Sequence, residues 1–507
     1  MVVASEIMEQ PHWSDFVRLF LIFVVSAPIS FLRQVKENLR LHSTFQKQEN
    51  ALKSHEDRVK NVQKQVRAWS ESGAKVPMCS SRPSAKSISQ MQTMAYKDTM
   101  YRIDIDLPNI LSIDEDKGLV RIEPMVTVGQ LNDFLIQRGW TMPVVAELDD
   151  LTMGGLVMGG GIEVTSHKHG FFQCVCKSYE MVMSDGSVLV CSDTVNRDLF
   201  ATIPWSYGTV GILVSMEIQI TPYKPFLELK YVPVKRKHQA IQLLRGETVR
   251  GFYDTLEGFM FSAEEGVVMM GRYVDQPGDI PLNRIGRWFK PWFYEHVRSF
   301  LKSGEGVEVV PTLDFFHRHN KPIFWLLRYI LPWAHQPAFR YLFGWIFPLP
   351  LSLINNLRNK LANPEWFRNF VLQDYIVPVE HVAKVLELNE TEFHIYPVWL
   401  CPTRHLDCSE YRTHSPQDIL IDVGIYGFEE RRGDRKLGQR RLEDFTVDNQ
   451  GFVFLYAETD LSREQFDKMY KTYSYKYEEV RRKYECERAF PHVFNKISKV
   501  GRQSFCK

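Results

Sequence analysis

Residues Thr152–Gly170 read TMGGLVMGGGIEVTSHKHG, with five glycines in the first ten positions and Ser166, His167, Lys168 and His169 close behind. Residues without a Cβ let a backbone turn tightly and bring several N–H groups against an anion. The stretch therefore suits a phosphate-bearing cofactor. Its spacing fits neither a P-loop, which needs Lys then Ser or Thr after the last glycine, nor the G-x-G-x-x-G of a dinucleotide fold. The other reading is a glycine-rich turn in a packed β region. The stretch alone does not choose between the two.

Working outward, short strands and turns surround the block. Ile110–Ile113 and Leu119–Glu123 flank a turn at Asp114–Gly118, and Thr127 starts a helix with Leu131, Phe134 and Leu135 on one face. Tyr179–Met183 and Val188–Cys191 flank Ser184-Asp185-Gly186, a hairpin signal. Ile212–Thr221 alternates as a strand, and Pro222 and Pro225 close the region. Beyond it come aromatic clusters at Phe289–Tyr294 and Phe339–Phe347, which read either as core of a second domain or as an apolar cavity or bilayer-facing surface. Gly427–Arg441 carries nine charges and reads as a solvated loop; Phe452–Tyr456 reads as a strand and Arg463–Lys483 as one polar helix.

At 507 residues and 44% hydrophobic content the chain has material for two or three domains with large cores. Its 62 basic and 61 acidic side chains leave a net charge of +1, which argues against nucleic acid and favours a small or uncharged partner. Eight cysteines without a C-x-x-C pair suggest reduced thiols, no metal centre and no dependence on disulfides.

Leu19–Leu32 is an uncharged apolar run, short for a full span and interrupted by Pro28, so a signal peptide and an interfacial helix compete with a membrane anchor. Arg33, Lys36, Arg40, Lys47 and Lys53 follow it whereas only Arg18 precedes it, which places the body in the cytosol. Glycosylation of the sequon Asn389-Glu390-Thr391 would contradict that. Leu52, His55, Val59, Val62, Val66 and Trp69 then recur at helical spacing and predict an amphipathic helix joining anchor to body.

Glu123-Pro124, Val126–Gln130, Glu147–Thr152, the glycine block and Trp205–Gly211, in that order, resemble the FAD-binding domain of the vanillyl-alcohol oxidase and p-cresol methylhydroxylase (PCMH) superfamily. Within it, SHKHG at 166–170, FYEHV after Lys290-Pro291-Trp292, FRYLFGW at Phe339–Trp345, Gln373-Asp374 before Val377-Pro378, and Tyr396–Pro402 resemble the Δ24-sterol reductases of the seladin type. The likeness runs from about residue 55 onward; the first forty-odd residues are shorter and less hydrophobic than that family's anchor.

The resemblance implies an α+β chain: an N-terminal membrane-anchor helix and flank (1–48), a linker helix (49–72), a two-subdomain PCMH-type FAD domain (73–225), an aromatic-rich α+β cap (226–450) and a return to the FAD domain (451–507). It implies NADPH-driven reduction of the C24=C25 bond of sterols at the endoplasmic reticulum, or Golgi, membrane, alongside other sterol-pathway enzymes. Cys79–Ser84, where relatives tether flavin through a histidine, has no His or Gly, so FAD is expected to be non-covalent. Thr152, Met153, Gly154, Gly155, Leu156, Val157, Met158, Gly159, Gly160, Gly161, Ile162, Glu163 and Val164 would hold FAD, with Gly208 and Gly211. Reducing an unpolarised alkene needs a proton donor, for which Glu163, His167 and Tyr456 lead and His169 and His394 follow. Two other functions compete: a flavin oxidase of an alcohol or lactone, and a non-catalytic sterol-binding membrane protein.

Overall fold

The computed structural model describes residues 48–82, 94–330, 334–346, 370–404, 418–430, 434–457 and 459–503. The apolar run at 19–32 lies outside them, and among the described residues no helix is long and apolar enough to cross a membrane.

The first helix, Gln48–Glu71, buries His55, Val59, Val62, Val66 and Trp69 along one stripe, while Leu52 points to solvent. The stripe lies against the strand Ile110–Asp114 and its neighbours. Each fully buried valine contributes roughly 1.5 kcal/mol, but the register is set by charge. His55 Nδ1 lies 2.7 Å from Glu123 Oε1 and its Nε2 lies 3.3 Å from Glu180 Oε2, and Arg58 Nη2 donates to Glu123 Oε1 at 2.6 Å.

The region around the glycine block is built on an antiparallel five-stranded sheet in the order Ile110–Asp114, Leu119–Ile122, Ile212–Gln219, Cys176–Val182, Val188–Ser192. Both expected hairpins are present. Thr127 caps the helix Val128–Ile136 in a capping box: its hydroxyl accepts from Gln130 N–H and its own N–H donates to Gln130 Oε1. The glycine block itself is not an open loop. Met153–Gly159 is a short helix, ended by Gly160 at φ 83°, ψ 151°. The glycines allow that helix to sit flat on its neighbours: a Cβ on Gly154 would stand 2.6 Å from Pro124 Cβ, and one on Gly160 would overlap the Trp205 ring.

The following region forms an antiparallel eight-stranded sheet, in the order Gly306–Pro311, Phe226–Val234, Gly266–Val274, Thr255–Met260, Val398–Arg404, Ile419–Phe428, Phe370–Pro378, Phe452–Val453. Several expectations need correction here. Gly427–Arg441 is no single loop: the strand runs to Phe428, and the helix Arg435–Asp448 starts behind the N-cap Asp434. Its charges masked a buried face of Leu442, Glu443, Thr446 and Val447. Of Phe452–Tyr456 only Phe452–Val453 pairs, and Arg463–Lys483 is two helices broken at Tyr470 (φ −112°, ψ 28°).

Cys174 is disulfide-bonded, against the expectation of reduced thiols, whereas Cys79, Cys176, Cys191, Cys401 and Cys486 are free. Nor can the Asn389 sequon report on compartment: the side chain is buried and its amide donates to Ile395 O at 2.9 Å. Of the aromatic clusters, Trp292, Phe293 and Tyr294 are core, whereas Tyr341, Leu342 and Trp345 are 59%, 65% and 67% exposed.

After its short strand the chain returns to the five-stranded region. Tyr477 Oη bonds Thr209 Oγ1 at 2.5 Å, Arg481 Nη1 donates to Thr209 O, Lys496 Nζ donates to Tyr207 O, and Arg488 Nη2 donates to Gly73 O. Phe171, Trp205, Phe452 and Phe454 interlock with ring centroids 5.3–6.2 Å apart, clasping Gly160 between the two parts of the chain.

Candidate active site

Three basic side chains converge beside the glycine helix. A Cβ on Gly155 would lie 3.6 Å from Arg82 Nη1, and one on Gly208 would lie 3.7 Å from Lys496 Nζ. Lys97 is buried and donates to Ser80 O at 3.0 Å and Arg82 O at 3.1 Å. Burial lowers the pKa of Arg82, of Lys97, and of Lys496 to about 8. The charges nearest the two lysines are further cations, Arg82, Arg102 and Arg502, and the Cys79 thiol is the group that opposes them. Like charges gathered out of water are costly until an anion joins them. Cations beside a helix whose glycines leave room for close approach suit a pyrophosphate, so these residues fit FAD. None of the three was legible as a site residue: Lys97 and Lys496 are ordinary lysines that only the fold brings together.

The other end of the block meets the inner face of the eight-stranded sheet. Thr403 Oγ1 donates to Ser166 O at 3.3 Å, and Leu256 N–H to Val164 O at 2.9 Å. Glu163 is buried at this junction: its N–H bonds Ser166 Oγ at 2.8 Å, its Oε1 accepts from Glu147 N–H at 3.1 Å, and its Oε2 has no partner. Burial, and then Glu147, push its pKa well above the usual carboxylate range. Close by, Arg318 grips both oxygens of Glu257 at 3.1 and 3.2 Å, and Trp399 Nε1 donates to the same carboxylate at 2.9 Å.

His167 is held between Val164 O (3.1 Å from Nδ1) and Tyr253 O (3.0 Å from Nε2), and burial lowers its pKa to about 4. The neutral ring carries one N–H and so bonds only one of these carbonyls. This geometry ties the SHKHG turn to the segment before Thr255. Burial also lowers the pKa of His169. His394 is 43% exposed and pairs with Glu390 at 3.0 Å, facing solvent. Gly211 (φ 141°) packs against Met181 and Met183.

Tyr456, the third expected residue, donates its hydroxyl to Asp374, whose other oxygen receives Tyr426 Oη. Burial raises Asp374 to about 6 although both tyrosine bonds oppose it. One row along the same sheet, Asp422 is fully buried with neither oxygen hydrogen-bonded. Sequence reasoning missed Asp374, Tyr426 and Asp422 as site residues. The available signal was an aspartate at the centre of the apolar run Ile419-Leu420-Ile421-Asp422-Val423.

A family model described as an FAD binding domain matches residues 58–192. The chain is 39% identical to the Delta(24)-sterol reductase of Homo sapiens over 492 residues, 96% of this chain and 93% of that protein. Against the Delta(24)-sterol reductase of Arabidopsis thaliana it is 32% identical, covering 96% of this chain and 91% of the relative. The chain belongs to the Δ24-sterol reductase family. A shorter likeness, 28% identity over 24% of the chain and 28% of the relative, links it to the L-gulonolactone oxidase of Mus musculus. As a member of the Δ24-sterol reductase family the chain is an FAD-dependent oxidoreductase of the PCMH superfamily, and two of the three converging cations, Arg82 and Lys97, lie in the part that matches the flavin domain.

Proposed function

We propose that this chain reduces the C24=C25 side-chain double bond of sterols, using non-covalent FAD and NADPH, at the endoplasmic reticulum or Golgi membrane. The observation that carries the reading is the junction between the glycine block and the cap sheet, where carboxyl groups are buried beyond the reach of bulk water. Thr152–Val164, Gly208 and Gly211 would hold FAD, with Arg82, Lys97 and Lys496 neutralising its pyrophosphate. Bound FAD, once reduced by NADPH, supplies hydride. The protein must orient the alkene, exclude water and provide a proton. Glu163 and the Tyr456–Asp374 pair are acids placed to hold that proton, while His167 fixes the turn that carries Glu163. The exposed Tyr341, Leu342 and Trp345, beside Arg340, suit a bilayer interface through which an apolar substrate would enter. The two sheets support reading a flavin domain and a cap, although Phe452–Val453 of the C-terminal segment pairs within the cap sheet.

The test is anaerobic incubation with NADPH and a panel of Δ24 sterols, followed by mass spectrometry. A product two hydrogens heavier supports the reading. Peroxide formation from an alcohol or lactone with oxygen would favour the oxidase instead, and failure to take up FAD would favour a non-catalytic sterol binder.

A further inference from the structure

We infer that Asp422 donates the proton to the side-chain alkene. The inference rests on the sterol-reductase reading and names the acid within it. Asp422 lies on the strand Ile419–Phe428, in register with Cys401 on one side and Ile376 on the other, and the next row of the same face is Trp399, Gly424 and Asp374. Residues opposite one another on paired strands share a face. This is the face that reaches the glycine block through Thr403, whose hydroxyl bonds Ser166 O.

The side chain is wholly buried, and neither oxygen has a hydrogen-bond partner among the described residues. The titratable groups around it are Asp374 on one neighbouring strand, Cys401 on the other, Glu147 from the flavin region and Tyr456 from the C-terminal segment, with Tyr426 bonded to Asp374. No cation stands among them. A charged carboxylate there would face two others with no donor to satisfy it, so burial and then repulsion from Asp374 and Glu147 keep Asp422 protonated well past its usual range. Among the described residues its O–H then has no acceptor, and a buried polar group without a partner points to an absent one. Glu163 differs: one of its oxygens is occupied by Glu147 N–H, and Arg318 favours its charged form.

The step balances. The O–H bond of Asp422 breaks while a C–H bond forms at C24 from the alkene π pair, and C25, left electron-deficient, takes the hydride of the reduced cofactor, which is oxidised. The Asp422 carboxylate recovers its proton from water once the reduced sterol has left.

The test uses the FAD-loaded full chain. Asp422→Asn is expected to retain its flavin content and its rate of flavin reduction by NADPH. Reoxidation of the reduced flavin by a Δ24 sterol is expected to slow by roughly 10²–10⁴-fold, with partial recovery in Asp422→Glu. Independently of turnover, infrared spectroscopy of the wild type at pH 7 should show the carbonyl stretch of a buried protonated carboxylic acid. Asp422→Asn should remove one component of that band, leaving the share of other buried acids such as Glu163, and Asp422→Glu, the variant that serves if the amide does not fold, should shift that component. Wild-type reoxidation in Asp422→Asn, an unchanged infrared band, or loss of flavin from Asp422→Asn would each overturn the assignment while leaving the sterol reading intact. A wild-type enzyme that no Δ24 sterol reoxidises would overturn both.

Discussion

Gly160 and Gly155 lie in the same glycine block, yet alanine at the two positions should fail in opposite ways. Gly160 adopts φ 83°, ψ 151°, a conformation essentially reserved for glycine, and its added Cβ would run into the Trp205 ring and stand 2.9 Å from Phe454 Cε1. Forcing such a backbone costs about 1–3 kcal/mol, and overpacking a rigid aromatic cluster costs about another 1–3 kcal/mol. The expected loss of roughly 2–6 kcal/mol is a large part of a typical stability. For a cooperative unit of the flavin region's size each kcal/mol moves Tm by roughly 2–4 °C, so apo Gly160→Ala should melt at least about 4 °C below wild type. At Gly155 the backbone is ordinary helix, and a Cβ would meet Thr152 Oγ1 at 3.1 Å and Arg82 Nη1 at 3.6 Å. Helix propensity there gains up to about 1 kcal/mol. Apo Gly155→Ala should therefore melt at or near the wild-type temperature, while the methyl group, standing between the helix and Arg82, weakens FAD binding. Scanning calorimetry of the apo proteins and fluorescence titration with FAD separate the two effects. If Gly160→Ala melts with wild type, or Gly155→Ala binds FAD with wild-type affinity, the reading of the block as a packed helix facing the cofactor fails.

Other perturbations follow from the same geometry. Lys496→Met removes a charged donor worth about 1.5–3 kcal/mol to an anionic ligand, so FAD should bind about 10- to 150-fold more weakly, while the apo protein, relieved of a cation crowded by Lys97 and Arg502, should melt no lower. Arg318→Met strands the buried Glu257 carboxylate, and breaking one side of such a pair costs about 3–5 kcal/mol; urea unfolding should reveal it, with most of the loss recovered in Arg318→Met with Glu257→Gln. Docking of the Gln48–Glu71 helix should depend on pH at both ends. Burial opposes charge on His55, yet its bonds to Glu123 and Glu180 hold its pKa above 6.5. Its contribution is thus complete below about 6.5 and lost as pH rises through the elevated value. Glu180, which burial would raise but His55, Ser215 and Arg121 pull down to about 2, contributes above about 4.5 and loses that contribution as pH falls towards 2. Protection factors of the helix amides, corrected for the intrinsic pH dependence of exchange, should therefore be highest between those limits, and His55→Leu should abolish the upper limb.

The parts of the fold legible in the sequence were those decided by neighbours in the chain. Ser184-Asp185-Gly186 specifies its hairpin, and Thr127 with Gln130 specifies a cap, because every interacting group lies within a few residues. The helix Arg435–Asp448 escaped because its buried face includes Glu443 and Thr446, which read as solvated until the strand Phe370–Pro378 is seen beneath it. Glycine spacing showed where a cofactor would lie but not the charge that would hold it, since Arg82, Lys97 and Lys496 become neighbours only through packing. Of the acids, Tyr456 was within reach of sequence reasoning as the end of a strand pattern. Asp422 showed in the sequence only as an aspartate within an apolar run; what sets it apart, the lack of a partner among the described residues, is a property of its surroundings.

The bond from Lys496 to Tyr207 spans 289 positions. During synthesis at about 5–20 residues per second, the sheet that carries the glycine helix emerges from the ribosome roughly 15–60 s before the lysine that completes its cation cluster. A nascent flavin region would thus wait, folded in outline but without its full charge for phosphate, and tight cofactor loading would become a late event in the life of the molecule. Messages that stall ribosomes between those two codons should accumulate chains protected from protease across the five-stranded sheet yet unable to retain FAD.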